Sequence, residues 1–382
     1  MRIGILGGAF DPIHLGHLKA AEAALECLGL DKVLMLPSGE PPYKRCRAGR
    51  EDRMRMVALA CEGISGLEPC DAETARPGAT YTVDTLRDIR RRYPSDGLYY
   101  ILGADAVESL EKWRGIEEVA GLVAFAVIAR PGCDATRAGE TAKRLGLRLQ
   151  TIPAEGPDIS SKMVRALVAE GRPIDALTPA GVAGYIAEHG LYLCDYTEAE
   201  ILDKLKKTIS LHRWHHTLGV ADTAQRLAAR FGIDPHRARL AALLHDCAKS
   251  LPYGEMRRLV AENVPDTDEK ELDAEPVLHA PAGMVLARRL YGVRDPAILQ
   301  AIRRHTLGGE HMTPMDALIY VSDFIEPGRR SFPGLEAVRA LAETDIFAAM
   351  RMSAGLTNDY LISRGQQPHP RTIALITGGE AQ

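Results

Sequence analysis

The run Arg2-Ile3-Gly4-Ile5-Leu6-Gly7-Gly8-Ala9-Phe10-Asp11-Pro12-Ile13-His14-Leu15-Gly16-His17 decides how the first half of this 382-residue chain reads. It begins as a short apolar β-type run, passes through two glycines, and continues from Gly16 to Leu28 with apolar residues at helical three- and four-residue spacing. Strand, glycine turn and helix in that order open a parallel α/β sheet. In such sheets ligands sit beyond the carboxyl ends of the strands, and helix N-termini offer unpaired N–H groups to phosphate. Gly7 and Gly8 let backbone approach a nucleotide closely, and Phe10 in the same turn is a further candidate contact. His14 and His17 are three apart on the first helical turn, so both rings can face the strand end and donate hydrogen bonds to a polyphosphate.

Outward from this turn the alternation continues. Further strands are expected at Lys32 to Leu36, Leu98 to Leu102, Leu122 to Ile128 and Arg148 to Ile152, with helices such as Arg50 to Cys61 between them and a closing helix at Val182 to Glu188. Beyond Thr197 strand signals vanish. Thr197 followed three residues later by Glu200 is a capping box, and helical periodicity returns at Leu218 to Arg230, Arg237 to Leu244, Ala282 to Leu290, Pro296 to Arg304 and Met315 to Phe324. The expected architecture is a doubly wound α/β parallel sheet over residues 1–194 followed by an all-α domain over residues 195–382, the boundary resting on pattern alone.

Composition narrows the function classes. With 46% apolar and 26% charged residues the chain can bury sizeable cores, which excludes disordered and fibrous architectures. A net charge of −4 is far from the basic footprint of a general nucleic-acid binder, so phosphate ligands need local basic sites. The apolar run Gly121 to Ala129 is far short of a membrane span. Seven scattered cysteines without a CxxC pair fit a reducing compartment, and the expected location is the cytoplasm.

The string GGAFDPIHLGHL from Gly7 to Leu18 resembles the signature of the nucleotidylyltransferase superfamily, and further segments resemble the bacterial nicotinate mononucleotide adenylyltransferases. These are Pro41-Pro42-Tyr43-Lys44, the TYTVDTL run from Thr80 to Leu86, Gly103-Ala104-Asp105, Trp113, and Ile159-Ser160-Ser161-Lys162-Met163-Val164-Arg165. Ala9 and Tyr43 depart from the family's usual Thr and His. The resemblance implies transfer of AMP from ATP to nicotinate mononucleotide, with a magnesium ion travelling with ATP. His14, His17, Lys44 and Arg165 would carry the catalysis. Gly7, Gly8, Phe10, Thr85, Asp105, Ser160 and Ser161 would bind nucleotide, and Trp113 would stack the pyridine ring. Read unaided, Ser160 and Ser161 open a helix whose N-terminus can hold an anion, and Arg165 offers fork-shaped donors one turn later.

Seven of the twelve histidines fall between His212 and His305. The pair His245-Asp246 stands at a helix end, where two neighbouring side chains about 100° apart can still serve one metal, or where Asp246 can bridge two. The ordered set His216, His245, Asp246, His279, His305 and Asp323 resembles the HD superfamily of metal-dependent phosphohydrolases. RWHHTLGVA, LLHDCAK, LHAPAG, AIRRHTLG and YVSDFIEPGR resemble its bacterial subgroup that cleaves diadenosine tetraphosphate to two ADP. The resemblance implies that His216, His245, Asp246 and Asp323 hold one metal, and that Asp246 bridges to a second metal held by His279 and His305. Asp246 is the central catalytic position, and Lys249 and Arg329 are nucleotide contacts. Imidazole with carboxylate suits iron, manganese or cobalt.

The implied whole is a bifunctional enzyme on small nucleotides, without nucleic-acid or membrane partners. In a second reading the helical half is a broader nucleotidase or a metal-bearing nucleotide sensor regulating the first half. For the first half the competing substrates are those of coenzyme A or CDP-alcohol synthesis, which TYTVDTL, Trp113 and the absence of an RTxGIST segment disfavour.

Overall fold

The computed structural model describes residues 1–40, 45–103, 107, 110–129, 135–153 and 157–377. Six strands form one parallel sheet: β1 (Arg2–Gly8), β2 (Lys32–Pro37), β3 (Leu67–Pro69), β4 (Gly97–Gly103), β5 (Ala124–Ala129) and β6 (Leu149–Pro153). Their order is β3-β2-β1-β4-β5-β6. Leu6 of β1 sits opposite Met35 of β2 on one side and Ile101 of β4 on the other. The chain therefore winds away from β1 in one direction and returns to its other side through β4. That reversal opens a crevice at the carboxyl ends of these two strands. Ile3, Ile5, Ile101 and Phe125 are wholly buried, as near-continuous apolar strands covered on both faces must be. Helix Leu15–Leu28 ends because Gly29 takes a left-handed conformation (φ 56°) that turns its N–H back onto the last carbonyls.

Two expectations change. β3 has no counterpart in the sequence reading, because three residues ending in proline carry no measurable periodicity, and as an edge strand it tolerates Pro69. Leu122 closes the helix Ile116–Leu122 instead of opening β5, since a short apolar run does not by itself distinguish helix from strand.

The remainder is helical. Thr197 caps helix Glu198–Thr208 reciprocally with Glu200, and the core is built by Leu211–Ala228, Pro235–Leu244, Glu275–Tyr291, Pro296–Arg304, Pro314–Ile325 and Ile346–Ser363. The last of these, with Tyr253–Asn263 and Leu335–Ala342, adds to the helices expected from sequence. Two helices begin alike: the Asp234 carboxylate accepts the His236 and Arg237 N–H groups ahead of Pro235, and Asp295 accepts the Ala297 N–H ahead of Pro296. Both end at a histidine, His245 and His305, as C-cap. Contacts divide the chain into two compact units, Met1–Val168 with Arg172–Leu191, and Ala169–Gly171 with Tyr192–Gln382. No described helix is long and apolar enough to cross a membrane.

Candidate active sites

In the sheet unit, Gly7 and Gly8 lie at the exit of β1 and line a cleft with Glu73, Thr80, Tyr100 and Trp113. Its volume of about 170 Å³ is below that of pockets for whole drug-sized ligands and suits a single ring. Packing already forbids a side chain at Gly7, where a Cβ would stand 2.1 Å from the Tyr100 hydroxyl. Trp113 is half-buried with its edge against Tyr100 (centroids 5.6 Å apart), so one face of the cleft is aromatic.

His14 is the N-cap of helix Leu15–Leu28, 2% exposed, with its ring stacked on His17 at 3.7 Å. The His14 backbone N–H donates to His17 Nδ1 at 3.2 Å. In the neutral ring that bond leaves the proton on Nε2, which makes His17 a directed donor. Phe10 is buried and meets the His17 ring edge-on at 4.9 Å. It supports that ring.

Ser161 Oγ donates to the Pro12 carbonyl at 2.9 Å, and Arg165 Nη1 donates to the Asp11 carbonyl at 2.5 Å. Ser160 Oγ accepts the Met163 N–H at 3.2 Å, capping helix Ser161–Ala169. The Ser160 to Arg165 segment is thus joined to the glycine turn. Thr85 is wholly buried, its hydroxyl donating to Glu73 at 3.1 Å. It secures that carboxylate, which lines the cleft. Lys44, Tyr43 and Asp105 lie outside the described residues.

Sequence reasoning missed Arg53 and Glu73, 2% and 6% exposed. The signal for Arg53 was its place on the inward stripe Arg53, Met56, Val57, Ala60 of its helix.

In the helical unit five helices deliver the six candidate ligands. Asp246 is 2% exposed and its two oxygens face different ways. Oδ2 lies 3.7 Å from His245 Nε2 and 4.0 Å from His216 Nε2, while Oδ1 lies 3.1 Å from His279 Nε2 and 3.7 Å from His305 Nε2. Asp323 Oδ1 meets His216 Nε2 at 3.1 Å. Three ligand triplets converge within 4.8 Å: His216 with His245 and Asp246, His245 with His305 and Asp323, and Asp246 with His279 and His305.

Three outer nitrogens are anchored. His245 Nδ1 and His305 Nδ1 donate to the Ala242 and Ile302 carbonyls at 2.6 and 2.7 Å, and His216 Nδ1 pairs with Glu326 Oε1 at 3.3 Å. Each such bond turns Nε2 inward and, in the neutral ring, leaves the lone pair there for a cation. His245 Nε2 is buried with no hydrogen-bond partner. An orphaned acceptor at the meeting point of imidazoles and carboxylates fits a cation.

Electrostatics agree. Burial pushes His245 and His279 down to about 4, so both are neutral ligands at pH 7. Against opposing burial, His245 and hydrogen bonds from His279 and His305 hold Asp246 well below the usual carboxylate range, and His216 does the same for Asp323. Burial opposes, yet the Asp323 hydrogen bond raises His216.

Three cations ring the site. Arg213 Nη1 donates to Asp246 Oδ2 at 2.9 Å, Lys249 to both Asp246 oxygens at 3.2 Å, and Arg329 Nη2 to Asp323 Oδ1 at 2.9 Å. Arg213 and Glu326 were not singled out from sequence, although both lie within the quoted motifs.

A nucleotide-type α/β cleft and a helical histidine–aspartate centre on one chain define a two-domain protein of nucleotide chemistry. Residues 5–167 match the cytidylyltransferase-like family and residues 213–349 the HD domain family. A probable nicotinate-nucleotide adenylyltransferase of Desulfitobacterium hafniense is 43% identical over 199 residues, 50% of this chain and 95% of the relative. A probable nicotinate-nucleotide adenylyltransferase/Ap4A hydrolase of Mycoplasma genitalium is 28% identical over 86% of this chain and 88% of its own length. A solved Clostridium acetobutylicum structure, reported as a predicted HD superfamily hydrolase involved in NAD metabolism, is 35% identical over 48% of this chain and 96% of that one, with a TM-score of 0.46. The chain belongs to the nicotinate-nucleotide adenylyltransferase family, with an HD domain behind the adenylyltransferase half.

Proposed function

We propose that the chain is a bifunctional enzyme, residues 1–194 joining nicotinate mononucleotide to AMP from ATP and residues 195–382 cleaving diadenosine tetraphosphate into two ADP. The observation that carries the pairing is the run of similarity along 86% of the chain to a relative named for both activities.

In the first reaction a phosphate oxygen of the mononucleotide bonds to the α-phosphorus of ATP, the bond to the bridging oxygen breaks, and pyrophosphate leaves with magnesium. His17 Nε2–H and Arg165 stabilise the charge that develops on phosphate, aided by Lys44. His14 orients His17, Ser161 holds the Arg165 helix against the turn while Ser160 caps it, both at the helix N-terminus that would bind nucleotide phosphate, and Trp113 takes the pyridine ring while Asp105 accepts from a ribose hydroxyl.

In the second reaction water bonds to a central phosphorus, the middle P–O–P bridge breaks, and a proton passes to solvent. His216, His245, Asp246 and Asp323 would hold one divalent cation, and Asp246, His279 and His305 a second, iron, manganese and cobalt being the candidates. Such ions supply Lewis acidity that acidifies water and neutralises phosphate. Lys249 and Arg213 bond Asp246 and Arg329 bonds Asp323, and all three would meet substrate phosphates. Substrates are small nucleotides, and the absence of disulfides among the described cysteines supports a cytoplasmic setting.

The test is a substrate panel on purified, metal-analysed protein. Nicotinate adenine dinucleotide from the mononucleotide and ATP, and ADP alone from diadenosine tetraphosphate, are expected. AMP plus ATP as hydrolysis products would overturn the symmetrical cleavage, and equal rates on ADP and GDP would establish a broad nucleotidase.

A further inference from the structure

Two buried charges meet at one residue beneath the cleft. Arg53, 2% exposed, donates to four main-chain carbonyls: Ala9 at 3.0 Å, Ser38 at 2.5 Å, Gly39 at 2.7 Å and Ala48 at 3.3 Å. Among the described residues no carboxylate pairs with it. Glu73, 6% exposed, accepts the Gly39 N–H at 3.2 Å and the Thr80 hydroxyl at 2.9 Å on Oε2, and the Thr85 hydroxyl on Oε1.

Gly39 is therefore held on its carbonyl by a guanidinium and on its N–H by a carboxylate. A Cβ there would stand 2.6 Å from the Glu73 carbonyl and 2.7 Å from the Thr80 methyl, so nothing larger than glycine fits. Ala9 belongs to the turn that leads to His14 and His17, and Thr80 lies on the wall shared with Trp113. The loop leaving β2 is thus fastened to the phosphate side by Arg53 and to the ring side by Glu73. Burying a guanidinium and a carboxylate is costly unless every bond is made, and surface residues would secure a loop more cheaply. Buried charge with fixed, directional bonds gives instead an exact spacing between two walls.

We propose that Arg53 and Glu73 are positioning residues that act through Gly39 to set the gap between the phosphate turn and the ring-binding wall, and so the selection of a mononucleotide whose ring and phosphate are that far apart. This rests on the adenylyltransferase reading above. Arg53 acts on the turn where transfer occurs, so its loss falls mainly on turnover. Glu73 acts on the ring wall, so its loss falls mainly on the mononucleotide.

The test uses the full chain with Glu73→Gln, Arg53→Met, Arg53→Lys and the Arg53→Met/Glu73→Gln double variant. Glu73→Gln is expected to raise KM for nicotinate mononucleotide about tenfold with KM for ATP within about twofold, and Arg53→Met to lower kcat about 100-fold, the scale of a misplacement of about 1 Å. Arg53→Lys is expected to recover part of kcat, and the double variant to lose less than the product of the single losses, because both act on one peptide segment. Equal changes for both substrates, losses that multiply, or a fall in Tm with unchanged kinetic constants at 25 °C would each overturn the proposal. Calorimetric titration with nicotinate mononucleotide and with ATP carries the same comparison without turnover. An unmodified protein that binds both yet makes no dinucleotide would overturn the assigned reaction while leaving the clamp to be judged on binding.

Discussion

Replacing Glu326 by Gln tests the metal centre through a residue that is not itself one of the six candidate ligands. Glu326 is buried, its Oε1 is 3.3 Å from His216 Nδ1, and its Oε2 accepts the Gly328 N–H at 2.5 Å. The carboxylate accepts from both partners, and Gln has one carbonyl oxygen for two donors. The shorter Gly328 bond takes that oxygen. The amide NH2 then faces His216 and donates to Nδ1. The imidazole answers by holding its proton on Nε2, the nitrogen that faces Asp323 and Asp246 and must release its proton to offer a cation a lone pair. Losing such an outer partner costs about 10- to 100-fold in metal affinity, or about 1.4 to 2.8 kcal/mol. The assay titrates metal-free protein with manganese in chelator buffers, reading metal per chain and diadenosine tetraphosphate hydrolysis against free metal. Both midpoints are expected to rise by that factor, with hydrolysis largely restored at saturation. Unchanged midpoints, or hydrolysis that stays lost at full occupancy, would refute the tautomer argument.

Asp246→Ala removes the carboxylate that faces both halves of the centre, so metal content should fall and hydrolysis vanish while dinucleotide synthesis persists, and full occupancy with intact hydrolysis would refute the ligand assignment. His17→Ala removes the directed Nε2–H donor and should lower adenylyl transfer about 100-fold or more, as loss of a transition-state donor does, a result checked by kcat at saturating ATP. Trp113→Ala forfeits about 1 kcal/mol of stacking, so KM for the mononucleotide should rise about fivefold with ATP unaffected, and equal damage to both substrates would make Trp113 part of the core.

What the sequence made legible depended on how local each feature is. The β1 turn and helix Leu15–Leu28 occupy one continuous stretch, and the periodicity, the glycines and the motif there agree. The six histidines and aspartates were visible as motifs, but the division of Asp246 into two oxygens serving two sets of imidazoles belongs to five helices meeting, which no spacing encodes. Arg53 and Glu73 stayed hidden because a charged residue on a helix or loop reads as solvated, and only the carbonyls and hydroxyls around them justify burial. Phe10 and Thr85 were visible as motif residues, but the packing of Phe10 on His17 and the bond from Thr85 to Glu73 were not, since a motif names a residue without naming such neighbours.

The helices ending in His245 and His305 act as rulers. Each starts at a fixed Asp-Pro cap and stops where an imidazole binds the carbonyl three residues back, His245 standing eleven residues after Asp234 and His305 ten after Asp295. One residue added or removed turns the helix end by about 100° and shifts it by about 1.5 Å. An outward-facing substitution along either helix leaves its ligand in place, whereas a single insertion swings that ring out of the centre. Over evolutionary time these two segments can exchange most of their exposed residues but cannot change in length.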